Sequence, residues 1–388
     1  MVEMTSKQRL LAAIAHQEPD RVPVAPRMHL WSVEQYGDYS WIKQLKLQNE
    51  FGFDPLVEVH FRGPGYIREP FSGDYRDLEG VSVDIKVENR GDLNQIRRCF
   101  HTPAGDLTDV MDMPHPRSRF GLSPGSAIRE HLVKSIEDVE KIRFILADPR
   151  KVVGSNFREL IEIIGERGIL EVHPSVGLGA PIMSNVLGME NAMLAFYENR
   201  ELFDALLAVF CDYHQQVTRA MLEAGAPFVF MSWHDWGVSG GWSPKIWRTA
   251  FKPLIKANVE LVHSYGALYT YFDNGAIMPL IPELTDIGVD IVSTLCPPPV
   301  GDVDLAKVKQ LIGDQVTLNG NVDAIWIVQR GTPSQVRDAV REAIRVAAPG
   351  GGFLLGNSDC FFMETPRENI QAFFDAAREF GKYPVQFA

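Results

Sequence analysis

Along the last two thirds of the chain, short runs of apolar residues alternate with longer segments whose apolar positions recur at helical spacing. The runs Leu170 to Val176, Phe228 to Trp233, Leu268 to Phe272, Ile291 to Leu295, Val316 to Leu318 and Gly352 to Leu355 read as buried strands. Between them, helices begin near Gly188, Ser243, Asp302, Thr332 and Thr365, and an earlier one covers Ser135 to Ala147. Ser243-Pro244 sets a hydroxyl cap before a proline, and Thr332-Pro333-Ser334-Gln335 and Thr365-Pro366-Arg367-Glu368 read as capping boxes. At the front, Thr5 to His16 reads as an amphipathic helix, and Glu18 to Val24 turns the chain into a short apolar strand. Alternation of this kind predicts an α/β fold, a distorted (β/α)8 barrel. From Met28 to Gly125 the pattern changes to aromatics, glycine, proline and short alternating pieces such as Val81 to Val87. Residues 28–125 therefore read as an inserted N-terminal cap of hairpins and loops, within a single domain spanning residues 1–388.

A barrel presents its chemistry where the strands end, so the polar residues that close each apolar run are the candidates. Asp273 follows Tyr269 to Phe272, Cys296 follows Ile291 to Leu295, and Cys360 follows Gly352 to Leu355 and Asp359. His234 and Asp235 stand between Trp233 and Trp236; Asp235 reads either as a substrate-binding or protonating group or as a cap for the next helix. Asp273 is a catalytic candidate or the anchor of an Asx turn with Asn274-Gly275. His173 ends a strand as a ligand-facing or a structural histidine, and Arg27 and His29 follow the first strand, placed to hold a carboxylate or to pair with acidic residues. Trp233 and Trp236, with Trp31 and Trp242, could line a pocket for a flat or apolar substrate. Cys296 and Cys360, with a histidine or carboxylate from a neighbouring strand, supply soft donors for zinc or are small buried hydrophobes.

Composition narrows the partners. With 38 Lys and Arg against 50 Asp and Glu, the formal charge of −12 disfavours nucleic acid and anionic membrane. The four cysteines are dispersed, and no apolar run suits a signal region or a bilayer span, so a soluble, cytoplasmic protein is expected. Gly177-Leu178-Gly179-Ala180 and Gly350-Gly351-Gly352 lack the order of a phosphate-binding loop; the latter reads as the hinge into the last strand.

The stretches Thr5 to Leu11 with Pro19 to Pro23, Gly188-Met189-Glu190, Ser243-Pro244 with Phe251-Lys252-Pro253, Asp273 to Gly275, Gly320 to Asp323, Gly331-Thr332-Pro333 and Thr365 to Ile370 together resemble the uroporphyrinogen decarboxylase superfamily. The resemblance implies a distorted barrel with its cleft at the strand C-termini, and one of two chemistries. True decarboxylases of that superfamily act on a tetrapyrrole without a cofactor, through an arginine-bearing N-terminal loop, an aspartate, a tyrosine and a late histidine. Arg27 is the loose counterpart of that loop, and Asn357, assigned to substrate binding, stands at the late histidine's place. The other branch contains zinc-dependent methyltransferases and demethylases working with corrinoid proteins, and Ser358-Asp359-Cys360 resembles its last zinc-binding cysteine. The HxC pair of that branch would fall at Phe272-Asp273-Asn274 and is missing.

The resemblance is closer to this second branch. It implies a methyltransferase or demethylase acting on a small, possibly methoxylated substrate, with catalytic Asp235, Asp273 and His234 and zinc on Cys360, Cys296 and His234. It also implies a corrinoid on a separate partner protein and a homodimer. The alternatives are a cofactor-independent decarboxylase and a non-catalytic binding barrel.

Overall fold

The apolar runs pair into a curled parallel sheet in the computed structural model, which describes residues 3–61, 78–115, 126–153, 156–174, 186–232 and 242–386. The chain begins with α1 (Ser6–Ile14), α2 (His29–Tyr36), α3 (Trp41–Phe51) and β1 (Leu56–Phe61), then β2 (Ser82–Asn89), β3 (Leu93–Thr102), β4 (Gly105–Pro114) and β5 (Ala127–Glu130). There follow α4 (Glu137–Phe144), α5 (Pro149–Val153), α6 (Phe157–Ile164), β6 (Ile169–Pro174), α7 (Met189–Glu198), α8 (Arg200–Glu223) and β7 (Phe228–Ser232). Strand and helix then alternate through α9 (Lys252–Ser264), β8 (Leu268–Phe272), α10 (Ile281–Ile287), β9 (Ile291–Thr294), α11 (Leu305–Ile312), β10 (Thr317–Val322), α12 (Pro333–Ala347), β11 (Phe353–Asn357) and α13 (Arg367–Phe380). Two compact units emerge, one of Met1–Val59, Asn156–His173 and Gly225–Ala388, the other of His60–Ser155 and Pro174–Ala224. Among the described residues no helix is long and apolar enough to cross a membrane.

The first unit carries the parallel sheet, in the order β1-β6-β7-β8-β9-β10-β11. Its strands are apolar without alternation because both faces are covered, as β6, β8 and β9 show by their near-complete burial. The expected first strand is a short bridging segment. Val24 pairs in parallel with Leu355, Ala25 N donates to Leu355 O at 2.8 Å, and Asp54 N donates to Val24 O at 2.7 Å just ahead of β1. This segment joins the two sheet edges, β11 and β1, and completes the distorted (β/α)8 barrel.

Helix α1 seals the N-terminal end of the barrel. Leu10 and Ala13 pack in one cluster with Ile169, Phe228 and Ile291, the first residues of three strands, and Leu56 and Leu268, which open two more, pack against it. The helix is set by the expected signal: Thr5 accepts from Gln8 N while the Gln8 side chain accepts from Thr5 N. Its position is fixed by charge. Arg9, 3% exposed, donates to Asp20 Oδ1 at 2.7 Å, Asp54 Oδ1 at 2.6 Å and the Met4 carbonyl at 2.7 Å, and Arg21 also reaches Asp54 at 2.8 Å.

Several sequence expectations shift. Thr332 forms its capping box with Gln335, but α13 is capped by Pro366 without a side-chain bond, because the Thr365 hydroxyl donates instead to Phe362 O at 2.7 Å. Strand β10 runs four residues beyond Leu318 through Asn319-Gly320-Asn321, poor strand formers held by neighbours on both sides. The stretch 28–125 holds more than hairpins: α2, α3 and β1 lie in it, and β1 pairs within the parallel sheet. The glycine hinge is as expected, since Gly350, Gly351 and Gly352 all have positive φ and a Cβ on Gly351 would come within 2.7 Å of His16 backbone.

The second unit contains an antiparallel sheet in the order β2-β3-β4-β5. On β3, Ile96, Arg98 and Phe100 are buried, while Cys99 and His101 on the opposite face are half-buried. Arg98 is fully buried against Asp109, with its Nε at 2.9 Å from Oδ1.

Arg9→Met should lower unfolding stability by about 3 kcal/mol, because it strands Asp54 as a buried carboxylate short of one partner. Arg345→Met, which removes an exposed pair with Glu342, should leave stability close to that of the parent. Denaturant titration of both variants checks this, and equal losses would contradict the assignment.

Candidate active site

The C-terminal strand ends of the first unit bring one guanidinium into a group of carboxyls. Arg27 leaves the bridging segment, and its main chain is fixed by Asn357 at the end of β11: Arg27 N donates to Asn357 Oδ1 and Asn357 Nδ2 donates to Arg27 O, both at 3.1 Å. Glu58 on β1 is held similarly by Gln44 of α3, which accepts from Glu58 N at 2.8 Å and donates to Glu58 O at 2.7 Å. With both backbones fixed, Arg27 Nε donates to Glu58 Oε1 at 3.0 Å and Nη2 donates to Oε2 at 3.3 Å. The guanidinium also lies 5.0 Å over the Phe272 ring and 3.9 Å from Asp359. The Tyr39 hydroxyl completes the shell, donating to Glu58 Oε1 at 3.3 Å.

Glu171 and His173 are two apart on β6 and so share a face. His173 Nε2 lies 3.2 Å from Glu171 Oε2 and 4.0 Å from Glu58 Oε2, and Thr270 of β8 donates to Glu171 Oε1 at 2.8 Å. Burial, reinforced by Glu58, pushes Glu171 up to about 8, so it is largely protonated at neutral pH. Asp359 is pushed up to about 6 by burial, against the opposing pull of Arg27 and a 3.4 Å bond from Asn274. Of the carboxyls near Arg27, Glu58 and Glu171 are each 3% exposed, whereas Asp359 is 29% exposed and can meet a substrate.

Asp273, just beyond β8, is 0% exposed and accepts from the Tyr271 hydroxyl at 3.0 Å; its Oδ1 has no hydrogen-bond partner among the described residues. Burial raises it to about 7. His29 packs against Tyr39 with ring centroids 5.0 Å apart. Arg27 and His173 thus stand in one cluster, Asn357 positions Arg27, and Asp273 is enclosed with Tyr271. His234, Asp235, Trp233 and Trp236 lie outside the described residues. Sequence reasoning missed Glu58, Glu171 and Asp359. A glutamate inside an apolar parallel strand, as in Leu170-Glu171-Val172, was the available signal, since such a position has no solvent face.

The cysteines at the strand ends are neutral thiols. Cys296 donates to the Ser358 carbonyl at 2.9 Å and is raised to about 12 by burial; burial and Asp359 also raise Cys360 well above the ordinary thiol range. Among the described residues Cys296 and Cys360 belong to no group of three metal-capable donors, and His234, the third member of the expected zinc set, lies outside them. A compact Cys/His/Asp group that could chelate a metal, Cys99, His101 and Asp106, occurs instead in the second unit.

The raised carboxyls make stability depend on pH. The unfolded chain releases these protons in the ordinary carboxylic range, whereas folded Asp359, Asp273 and Glu171 hold them until about 6, 7 and 8, so the folded state loses relative stability as pH rises through that window. Glu171→Gln should flatten the upper part of the decline in thermal midpoint. A variant whose midpoint falls between pH 6 and 8 as steeply as the parent would remove Glu171 from this account.

Residues 118–380, well over half of the chain, match the family profile described as Uroporphyrinogen decarboxylase (URO-D). A uroporphyrinogen decarboxylase of Trichodesmium erythraeum (strain IMS101) is 27% identical over 255 residues, 64% of this chain and 66% of that protein. The methylcobamide:CoM methyltransferase MtaA of Methanosarcina barkeri is 22% identical over 387 residues, 98% of this chain and 99% of that one. Among solved structures, a methyltransferase from Methanosarcina mazei shares the fold at a TM-score of 0.62 and 18% identity, covering 97% of this chain and 99% of that one. The match over residues 118–380, on a barrel of this kind, shows that the chain belongs to the uroporphyrinogen decarboxylase (URO-D) family.

Proposed function

We propose that this chain is a methyltransferase that removes a methyl group from a small, methoxylated substrate, with Asp359 as the proton donor and a corrinoid on a separate protein as the methyl acceptor. The observation that carries this reading is the charge of the strand-end cluster. Among the described residues, its guanidinium is already paired with Glu58 and also faces Asp359. A porphyrinogen bearing several carboxylates would have to compete with Glu58 and Asp359 for it. A neutral methyl ether would not, and its cleavage requires what the cluster holds, a carboxylic acid kept partly protonated near neutral pH. The full-length similarity to a methylcobamide:CoM methyltransferase supports methyl transfer involving a corrinoid.

In this reading the C–O bond of the ether breaks; the corrinoid of the partner protein, when bound, would supply the nucleophile that takes the methyl group. The bonding electron pair stays on oxygen, and the Asp359 proton moves to that oxygen to give the hydroxyl product. Arg27 steadies the resulting carboxylate at 3.9 Å, and solvent reprotonates it. Phe272 and Tyr39 supply the apolar walls beside Arg27. Asp273 and the undescribed Asp235 and His234 are assigned to substrate positioning. Asn357 holds Arg27 in place. No step runs through zinc at Cys296 and Cys360. The protein is proposed to act in the cytoplasm as a homodimer.

The test is methyl transfer from an aryl methyl ether to a reduced corrinoid protein. Asp359→Asn should lower kcat by about 10²–10⁴-fold. It should spare transfer from a methyl donor whose leaving group needs no proton, and the parent rate should fall as pH rises above about 6. Carbon dioxide release from a porphyrinogen without any corrinoid protein would overturn the reading in favour of decarboxylation.

A further inference from the structure

The face of the hairpin sheet opposite its buried side gathers donors that the proposed reaction does not use. Cys99 and His101 are two apart on β3 and share a face; the register sets Asp106 directly across from His101 on β4 and Asp84 directly across from Cys99 on β2. Cys99 Sγ lies 3.8 Å from His101 Nδ1, Asp106 Oδ1 lies 2.9 Å from the same nitrogen, and the three donor atoms all fall within 4.8 Å of one another. Donors around one tetrahedral zinc stand roughly 3.3–3.6 Å apart, so small side-chain adjustments would bring these three onto a common ion. The other imidazole nitrogen, Nε2, lies 3.3 Å from Asp84 Oδ2. This is the outer carboxylate that fixes the tautomer of a metal-bound histidine, leaving Nδ1 as the ligand.

The hairpin is built to keep this register. Between the two ligand-bearing positions, the Thr102 hydroxyl donates to Gly105 O at 2.6 Å and accepts from Ala104 N at 3.2 Å, and Gly105 takes a φ of +115°. Lys141 donates to the Asp106 carbonyl at 3.2 Å and is paired with Asp138 at 2.8 Å, so its contact with Asp106 runs through the main chain.

We propose that Cys99, His101 and Asp106 bind a zinc-class divalent cation, with Asp84 as the supporting carboxylate and one coordination position left to water. The mixed sulfur, nitrogen and oxygen set selects borderline ions over magnesium and calcium. Binding displaces the Cys99 thiol proton and the Nδ1 proton to solvent, so the Cys99 sulfur reaches the ion as thiolate. This inference stands independently of the methyl-transfer reading.

The test adds cobalt(II) or zinc(II) to the chelator-stripped full-length protein, with elemental analysis after desalting. About one equivalent of metal should be retained, and cobalt should show a thiolate-to-metal absorption band. Cys99→Ser should abolish that band and Asp84→Asn should weaken binding by about tenfold or more, while Cys360→Ala leaves both unchanged. Far-ultraviolet circular dichroism confirms that the variants are folded. Absence of stoichiometric metal would overturn the proposal and leave His101 as an imidazolium between two carboxylates. A band that survives Cys99→Ser and vanishes in Cys360→Ala would overturn it in favour of the barrel cysteines.

Discussion

Everything at the strand ends depends on one half-buried guanidinium. An arginine largely withdrawn from water is tolerated only with a well-placed carboxylate, and here the chain fixes the backbones of both partners. Gln44 grips Glu58 and Asn357 grips Arg27, each through a donor and an acceptor. The pair then adds to the electrostatics of its neighbours. Burial raises both Glu171 and Asp359, and in each Glu58 adds to the rise while Arg27 opposes it.

The polar residues that make the sequence legible as a family member are mostly structural. Thr5 and Gln8 cap α1, Arg9 and Arg21 gather Asp20 and Asp54, Thr332 and Gln335 cap α12, and the Asn369 side chain donates to the Val328 and Gly331 carbonyls. These groups hold helices onto a barrel whatever happens at its mouth. A resemblance carried by such residues reports the scaffold, and the reaction has to be argued from Arg27, Glu58, Glu171 and Asp359.

The parallel strands were legible because burial on both faces forces unbroken apolar runs, and Leu268–Phe272 matches its expected limits. Strand β10 was half-hidden because Asn319, Gly320 and Asn321 owe their extended form to β9 and β11 and not to their own preferences. Strand β1 was hidden inside a stretch of mixed texture. Its Glu58 looks like a solvent-facing residue until the strand is placed in the sheet. Arg27 and His173 could be found because each directly follows or ends an apolar run. Glu58 could not, since its contact with Arg27 joins positions on separate elements, whereas Glu171 stood inside a run expected to be buried.

The seal formed by α1 has a kinetic meaning. With Leu10 and Ala13 packed over the first residues of the strands, side chains close the N-terminal end of the barrel in the first unit. If the chain transfers methyl groups as proposed, a small methyl donor and a bulky methyl-accepting protein would both work at the opposite end. The order of their arrival would then matter, and turnover would be paced in part by the coming and going of a protein.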